Sequence, residues 1–257
     1  MKNNYKIVVV FLLIILYFAC SLFIKPKKIL LYSNNTYIVN KNSISSYDYM
    51  KLNNKKLNVM YYDKTINQGY FRVINEGNSK FSMYDENNKA IDTYDYSYAY
   101  TDNINPASYS ERESLTKDES TAITKVFQEY GIDGDLSDLN YIKVVELNNA
   151  EKLIFFGNFN DDKYYSVMSL PDTEKCYEFV IKVDNKTNYE VLYENEVEGT
   201  DILDENFIIF DCVMNLFDDD SYQIGVNSII YSFHETVPGK IYNLSNNNFD
   251  IMSEKGN

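Results

Sequence analysis

The stretch "FIIFDCVMNLF", residues 207–217, is apolar on both faces of an extended chain. Side chains alternate along a strand, so one face is expected to carry an unbroken apolar set: Ile208, Phe210, Cys212, Met214 and Leu216. Phe207, Ile209 and Val213 make the opposite face largely apolar as well. A strand with two apolar faces is buried on both sides. This stretch therefore predicts a central strand with a covering layer on each face.

Further short segments after residue 140 have the length and composition of strands. They are residues 141–147, 152–159, 163–170, 176–183, 188–196 and 222–233. Polar breaks rich in Asn and Asp separate them, which favours antiparallel pairing over parallel strands joined by crossover helices. We therefore expect a β-meander that forms one sheet, with residues 207–217 near its centre.

The segment 176–183, "CYEFVIKV", is expected to have one wet face, which carries Glu178 and Lys182. Its other face carries the apolar set Tyr177, Phe179, Ile181 and Val183. Cys176 lies on the polar side and Cys212 on an apolar face, so their side chains point opposite ways in one sheet and cannot form a disulfide. We expect two free thiols, with Cys176 accessible and Cys212 buried.

A helix is predicted immediately before the meander. Thr116 and Glu119 have the spacing of a capping box, and Gly131 is suited to end the helix. The apolar residues between them follow the helical period: Ala122, Ile123, Val126, Phe127 and Tyr130. This amphipathic helix needs a surface to cover, and we expect it to cover one face of the strand at residues 207–217.

The chain between residues 29 and 105 is expected to form a smaller β-rich subdomain, with strands near residues 56–63, 69–77 and 80–89. Tyrosines at positions 94, 96, 98 and 100 recur every second residue and share one strand face. We interpret them as core residues, because tyrosine suits half-buried strands. The alternative is an aromatic platform for a sugar or another ligand.

The turn residues around Pro106 mark the boundary between this subdomain and residues 106–257, which hold the helix and the meander. The predicted fold class is α+β and mostly antiparallel, with an N-terminal transmembrane helix in residues 1–28. A β-propeller is the alternative architecture. It is disfavoured because no blade motif repeats along the chain and the helix interrupts the strands.

Residues 7–24, from Ile7 to Ile24, contain no charged side chain. As a helix they would extend about 27 Å, close to the ~30 Å hydrocarbon core of a bilayer. We expect a retained single-pass anchor with the remaining chain outside the cell membrane. A lipoprotein modified at Cys20 fits less well, because Tyr17 and Phe18 replace the residues of a lipobox. Cleavage after Ser21 is the third alternative.

The chain has 257 residues and a net charge of −14. The first 28 residues contribute five lysines and no acid, so the remainder carries −19. Such an acidic body repels phosphate backbones, which excludes nucleic acid as an expected partner.

Motifs for catalysis are absent or incomplete. His234 is the chain's single histidine and lacks the partners of a zinc site. Ser114 and Lys117 spell S-x-x-K, but no K-T-G follows them, so we interpret Thr116 as a helix cap instead. We expect no cofactor and name no catalytic residue. A hydrolase with a carboxylate pair stays open, because the acids are too numerous for a pair to be chosen from sequence.

Calcium is the metal for which the sequence offers candidate ligands. Residues 133–138, "DGDLSD", supply three aspartates and a serine, and residues 218–220 supply three more aspartates. An EF-hand is excluded, because Asp138 and Val144 stand where that loop needs Gly and Glu. A looser calcium site at either stretch stays open. We expect the chain as a whole to be a membrane-anchored binding or accessory protein of a cell envelope, with a protein partner there.

Overall fold

Antiparallel β-structure dominates the fold, and one α-helix lies among the described residues, so the predicted α+β class is confirmed. A computed structural model gives the structure of the protein. It describes residues 27–33, 35–40, 43–74, 80–92, 96–102, 104–147, 151–159, 175–184, 188–203, 205–217, 221–230, 235–245 and 248–252. The proposed anchor at residues 7–24, the predicted strand at 163–170, His234 and the aspartates at 218–220 lie outside these ranges.

Within the described ranges, seventeen strands and a helix make up the regular structure. The strands are β1 Lys28–Tyr32, β2 Asn35–Val39, β3 Ile44–Ser46, β4 Lys56–Tyr61, β5 Ile66–Ile74, β6 Lys80–Tyr84, β7 Ala90–Ile91, β8 Tyr96–Tyr100, β9 Tyr109–Arg112, β10 Tyr141–Leu147, β11 Lys152–Gly157, β12 Lys175–Val183, β13 Tyr189–Glu198, β14 Asn206–Met214, β15 Tyr222–Ile230, β16 Glu235–Ser245 and β17 Asn248–Ile251. Helix α1 is Lys117–Tyr130, and 3₁₀ turns lie at Tyr49–Leu52, Leu136–Asp138 and Gly199–Leu203.

The first sheet contains eight strands in the order β3-β2-β1-β8-β4-β5-β6-β7. One of its faces closes around a core of its own strands, which includes Leu57, Phe71 and Met83. Tyr98 and Tyr100 lie on the opposite face and are 1% and 2% exposed. The interpretation of the tyrosine repeat as core is therefore confirmed at these two positions, whereas Tyr94 lies outside the described residues.

The second sheet has the order β13-β12-β11-β10-β9 and carries helix α1 on one face. The helix begins and ends as predicted, with a complete capping box and a left-handed C-cap at Gly131 (φ 66°). Its apolar stripe packs on this sheet, where Phe127 meets the rings of Phe156 and Tyr177. The prediction that the helix covers residues 207–217 is wrong, because those residues belong to another sheet.

The third sheet, in the order β14-β15-β16-β17, lies between the other two. Cys212, Met214 and Ile241 pack against the first sheet, and Phe210, Val213 and Phe249 pack against the second. Residues 207–217 are thus covered on both faces as predicted, but by sheets. They form an edge strand of their sheet, so the expectation of a single sheet centred on them is also wrong.

A bulge in β14 explains why its faces differ from the predicted alternation. Phe210 pairs with Val226 and Cys212 with Gly225, so Asp211 is an extra residue in the ladder. One extra residue moves every later side chain to the opposite face. Ile208 and Phe210 therefore face the second sheet, whereas Cys212 faces the first.

Glycine at position 225 lets the first and third sheets approach each other closely. A Cβ atom there would lie 2.7 Å from the Sγ atom of Cys212 and 2.8 Å from the ring of Tyr32. Gly239 on the neighbouring strand contacts the same ring, and a Cβ atom there would lie 2.7 Å from the Tyr32 hydroxyl. The Tyr32 ring of β1 therefore packs directly against the backbone of β15 and β16 at these two glycines.

The described ranges show three stacked sheets and no propeller closure. No helix within those ranges is long and apolar enough to cross a membrane.

Candidate functional site

Two pockets open beside the loop that joins α1 to β10. Gly131 ends the helix, and its N–H bonds to the carbonyl of Phe127. The chain then forms the 3₁₀ turn Leu136–Asp138, which Asp135 caps by accepting bonds from the backbone N–H and the hydroxyl of Ser137. Asp138 returns the bond by accepting from the Asp135 N–H at 2.7 Å. These local bonds hold the loop in one shape above the second sheet.

The first pocket is largely apolar and has a volume of about 450 Å³. Phe127, Ile132 and Leu136 supply its hydrophobic lining, and Thr124 and Gln128 lie at its helix side. Its size is within the range of small-molecule sites.

The second pocket is polar, has a volume of about 370 Å³ and shares Gly134 with the first. Its lining consists of Asp133, Gly134, Ser137, Asp138, Asn140, Asn158 and Tyr177. Asn158 fixes the sheet side of the pocket, because it accepts from the Tyr177 N–H at 2.8 Å and donates to the Lys175 carbonyl at 3.0 Å. Asn140 donates to the Asn158 carbonyl at 2.8 Å, which joins the loop to the strand.

Tyr177 is the unusual member of this lining. Its side chain is 5% exposed, and its hydroxyl has no hydrogen-bond partner among the described residues. Burial, with the negative charge of Asp138 as a second cause, raises the pKa of Tyr177 to about 12. The phenol therefore keeps its proton at neutral pH, and that proton has no acceptor among the described residues.

The calcium prediction at residues 133–138 is not tested by this geometry. Asp135 and Asp138 already accept bonds within the loop. In the part of the chain that the structure describes, no three Cys, His, Asp or Glu side chains group in a way that could hold a metal ion.

The S-x-x-K pair is exposed at the start of α1. Thr116 accepts from the Glu119 N–H, and the Glu119 carboxylate accepts from the Thr116 N–H at 2.8 Å, so the cap interpretation is confirmed. Burial alone would raise the pKa of Glu119, but hydrogen bonds from Arg112, Thr116 and Lys152 lower it to about 2. This ion cluster fastens the helix start to β9 and β11.

Glu178 is a buried carboxyl that the sequence placed in water, and that prediction is wrong. It is 2% exposed and lies between the second and third sheets. Its Oε2 atom accepts from the Ile208 N–H at 2.7 Å, and its Oε1 atom accepts from the Tyr193 hydroxyl at 3.0 Å and from Asn195 at 3.4 Å. Burial raises the pKa of Glu178 to about 8, despite these opposing bonds.

The position of Glu178 has a structural cause. β14 is an edge strand whose outer backbone groups are buried against the second sheet, so they need partners other than water. Glu178 satisfies Ile208, and the Tyr141 hydroxyl accepts from the Phe210 N–H at 2.8 Å. Two polar side chains of the second sheet thereby take the place of a neighbouring strand.

Asp211 is a second carboxyl whose pKa is raised. Burial raises its pKa to about 6, although hydrogen bonds from Tyr62 and Cys212 oppose the shift. It lies at the β14 bulge between the first and third sheets, away from the pockets beside Gly134.

Neither Cys176 nor Cys212 forms a disulfide, and both are buried. The absence of a bridge between them was predicted, but the expected accessibility of Cys176 is wrong. Cys176 is fully buried with Phe159, Ile202 and Phe207, because the side of β12 that looked polar faces another layer.

An acidic edge runs along β13, the last strand of the second sheet. Glu194, Glu196 and Glu198 are exposed and recur every second residue, so they share one face. Lys175 bonds to Glu196 at 3.0 Å and also pairs with Glu198. The edge keeps a net negative charge.

Sequence reasoning missed both Tyr177 and Glu178 as noteworthy groups. The apolar face of β12 was predicted with Tyr177 on it, and the structure confirms that face. No local pattern indicates that a tyrosine at the end of such a face lacks a partner for its hydroxyl. No protein-family model, curated protein or solved structure matches the chain.

Proposed function

We propose that the chain is a membrane-tethered, extracytoplasmic binding or accessory module of a cell envelope. Residues 7–24 hold it in the cell membrane by a single span, and the acidic body faces outward. Within that body, residues 29–105 and 106–257 act as two subdomains. The module contacts a protein partner through its acidic surface.

The observation that carries this proposal is the acidic edge of β13, with Glu194, Glu196 and Glu198 exposed on one face. Glutamates on an edge strand discourage pairing with other strands, so this edge favours contact through side chains. A negatively charged surface attracts a basic partner and raises its association rate. We therefore expect a partner with a basic contact surface.

Binding is favoured over catalysis because, among the described residues, the two carboxyls whose pKa is raised lie between sheets. Glu178 has hydrogen bonds to both of its oxygens, and Asp211 lies in the bulge between the first and third sheets. A catalytic acid must reach substrate in a cleft. Turnover of a glycan or peptide by the purified chain, lost on changing one carboxylate, would replace this proposal with an envelope hydrolase.

Cross-linking in intact cells, with purification of the membrane fraction, tests the partner. The variant Glu194→Lys with Glu196→Lys should reduce capture of a reproducible protein partner, and raised salt should weaken the complex. Glu86→Lys is the control for Glu194→Lys alone, because Glu86 is exposed in the turn between β6 and β7 and the two single variants change the charge equally. Equal capture by the edge variant and the control would contradict the proposal.

The tether is tested separately. Alkaline carbonate should leave the chain in the membrane, and protease added outside intact cells should digest the body. A mass that corresponds to loss of the leader, or to a lipid on Cys20, would establish cleavage or lipidation in its place. Limited proteolysis near Pro106 tests the division into subdomains.

A further inference from the structure

We propose that the uncovered half of the first sheet is a docking surface for a protein that presents an aspartate or glutamate carboxylate to Arg72. This basic face consists of Lys56, Tyr70, Arg72, Ser82 and Tyr84. The proposal goes beyond the acidic edge of β13, because it assigns a second contact of opposite charge on a different sheet.

The strand order leaves this half of the sheet uncovered. The third sheet packs against β1, β2, β3, β4 and β8, and among the described residues their shared core contains no side chain of β5, β6 or β7. Phe71 and Met83 belong instead to the core that the first sheet forms with its own strands. Side chains alternate along a strand, so Tyr70, Arg72 and Tyr84 lie on the opposite face. All three are half-buried there.

Strand pairing brings the side chains of the basic face together. Lys56 pairs with Tyr70, and Tyr70 pairs with Tyr84, so a lysine and two phenol rings form a row across β4, β5 and β6. Arg72 follows on β5, and its guanidinium carbon lies 4.8 Å from the centre of the Tyr84 ring. Two cations and two aromatic rings therefore share one surface.

Arg72 lacks the partners that a half-buried arginine normally has. The described residues give its guanidinium no hydrogen bond and no carboxylate, and its contact among them is the Tyr84 ring. The other arginine of the chain, Arg112, pairs with Glu119 and Glu146. Stacking occupies the flat side of the guanidinium and leaves its N–H groups, which lie in its plane, for an acceptor outside the described residues.

A carboxylate matches these donors. Arginine presents them as a rigid fork that binds both oxygens of a carboxylate, and the Tyr84 ring holds the fork in place before the partner arrives. Lys56 is exposed in the same row and adds a second positive charge without a carboxylate partner among the described residues. The charge of the rest of the chain is screened beyond about 8 Å at physiological salt, so these two cations dominate the local field.

The residue types favour a protein as the occupant. Tyrosine and arginine are enriched at the centres of protein–protein contacts, where they bury large areas and form strong hydrogen bonds. Lys56 and Tyr84 lie two strand spacings apart, about 10 Å, so a partner surface is needed to contact both. A second copy of this chain is disfavoured, because two bodies of net charge −14 repel each other.

The test uses the full-length chain in nanodiscs of a zwitterionic lipid, with rhodamine-labelled hexaglutamate as the probe and fluorescence anisotropy as the readout. Hexaglutamate should bind saturably, and raised salt should weaken the binding. The same peptide with a benzophenone label should cross-link to β4, β5 or β6, which mass spectrometry of the digested chain identifies.

Arg72→Gln removes both the fork and the charge, so it should weaken hexaglutamate binding by about tenfold. Arg72→Lys keeps the charge without the fork and should restore only part of the affinity. Both variants should melt close to the parent, because Arg72 has the Tyr84 ring as its contact among the described residues. Lys117→Gln is the control for the loss of one charge, because Lys117 is exposed at the start of α1, and it should bind as the parent does.

Four results would overturn the proposal. The first is that hexaglutamate does not bind saturably, and the second is that the parent and Arg72→Gln bind it equally. The third is cross-linking confined to residues outside β4, β5 and β6. The fourth is that the basic face takes another occupant and not hexaglutamate: polyphosphate, or a second copy that sedimentation in detergent micelles shows as a dimer lost in Arg72→Gln. Partner capture at β13 is measured separately and does not depend on any of these results.

Discussion

Replacing Glu178 with glutamine should remove most of the pH dependence of stability between about pH 6 and about pH 8. The folded protein holds this carboxyl with a pKa of about 8, against the ordinary value of 4.5 that applies when the chain is unfolded. The folded state therefore binds a proton that the unfolded state releases. The stabilisation that Glu178 contributes is therefore complete below its pKa of 4.5 in the unfolded chain. It is lost as the pH rises through its pKa of about 8 in the folded protein.

The magnitude follows from the same two values. One pKa unit corresponds to about 1.36 kcal/mol. Over the window from pH 6 to pH 8 the folded protein keeps most of its proton, so the free energy of unfolding should fall by about 2 kcal/mol. Asp211, with a pKa raised to about 6, acts in the same direction but mostly below this window. Glu119, with a pKa lowered to about 2, acts in the opposite direction: its stabilisation is fully present above its ordinary pKa of 4.5 and is lost only as the pH falls towards 2.

Urea denaturation of the full-length chain in detergent micelles, at both pH values, measures the effect. Glu178→Gln keeps an acceptor for the Ile208 N–H and cannot ionise, so its midpoint should change little with pH. Glu190→Gln is the control, because Glu190 is exposed on the adjacent strand and should behave as the parent. If Glu178→Gln loses as much stability between the two pH values as the parent does, the assignment of the buried proton to Glu178 is wrong.

Other consequences concern single side chains. Thr116→Ala removes the helix cap and should cost about 1 kcal/mol, measured by urea denaturation against the exposed Thr121→Ala. Phe155→Ala opens a cavity between the second and third sheets and should cost about 3–5 kcal/mol in the same assay. Cys176 should resist alkylation until the chain is unfolded, and mass spectrometry of iodoacetamide-treated native protein showing its rapid labelling would contradict its burial.

The helix could be predicted almost to the residue because its signals are local. Thr116, Glu119 and Gly131 specify its two ends by contacts within a few positions of the chain. Tyr98 and Tyr100 were correctly placed in the core for a similar reason, since a repeat of two residues is a property of one strand.

The division of the strands among sheets was not predictable in the same way. Residues 176–183 and 207–217 look like members of one meander, yet they belong to sheets that face each other. Which sheet covers which is decided by contacts far apart in sequence. The bulge at Asp211 then reverses the faces that alternation predicts.

The surroundings of Glu178 and Tyr177 could not be predicted for the same reason. Glu178 looks like a solvent-facing residue of an amphipathic strand, but the edge of β14 requires a buried acceptor there. Tyr177 is correctly placed on an apolar face, but only the three-dimensional structure shows that its hydroxyl is buried without a partner among the described residues. Whether a buried polar group has a hydrogen-bond partner depends on residues that are distant in the sequence, so a local pattern does not show it.

The position of the third sheet also affects how the chain is made. Synthesis proceeds from the N-terminus, so the first and second sheets emerge before β14–β17, the layer that separates them. At about 5–20 residues per second, the missing layer takes several seconds to follow. During that interval the two apolar sheet faces that β14–β17 cover are exposed, which favours aggregation of the incomplete chain. Loss of residues 206–257 would uncover one face of each of the other two sheets at once, so we expect it to destabilise both.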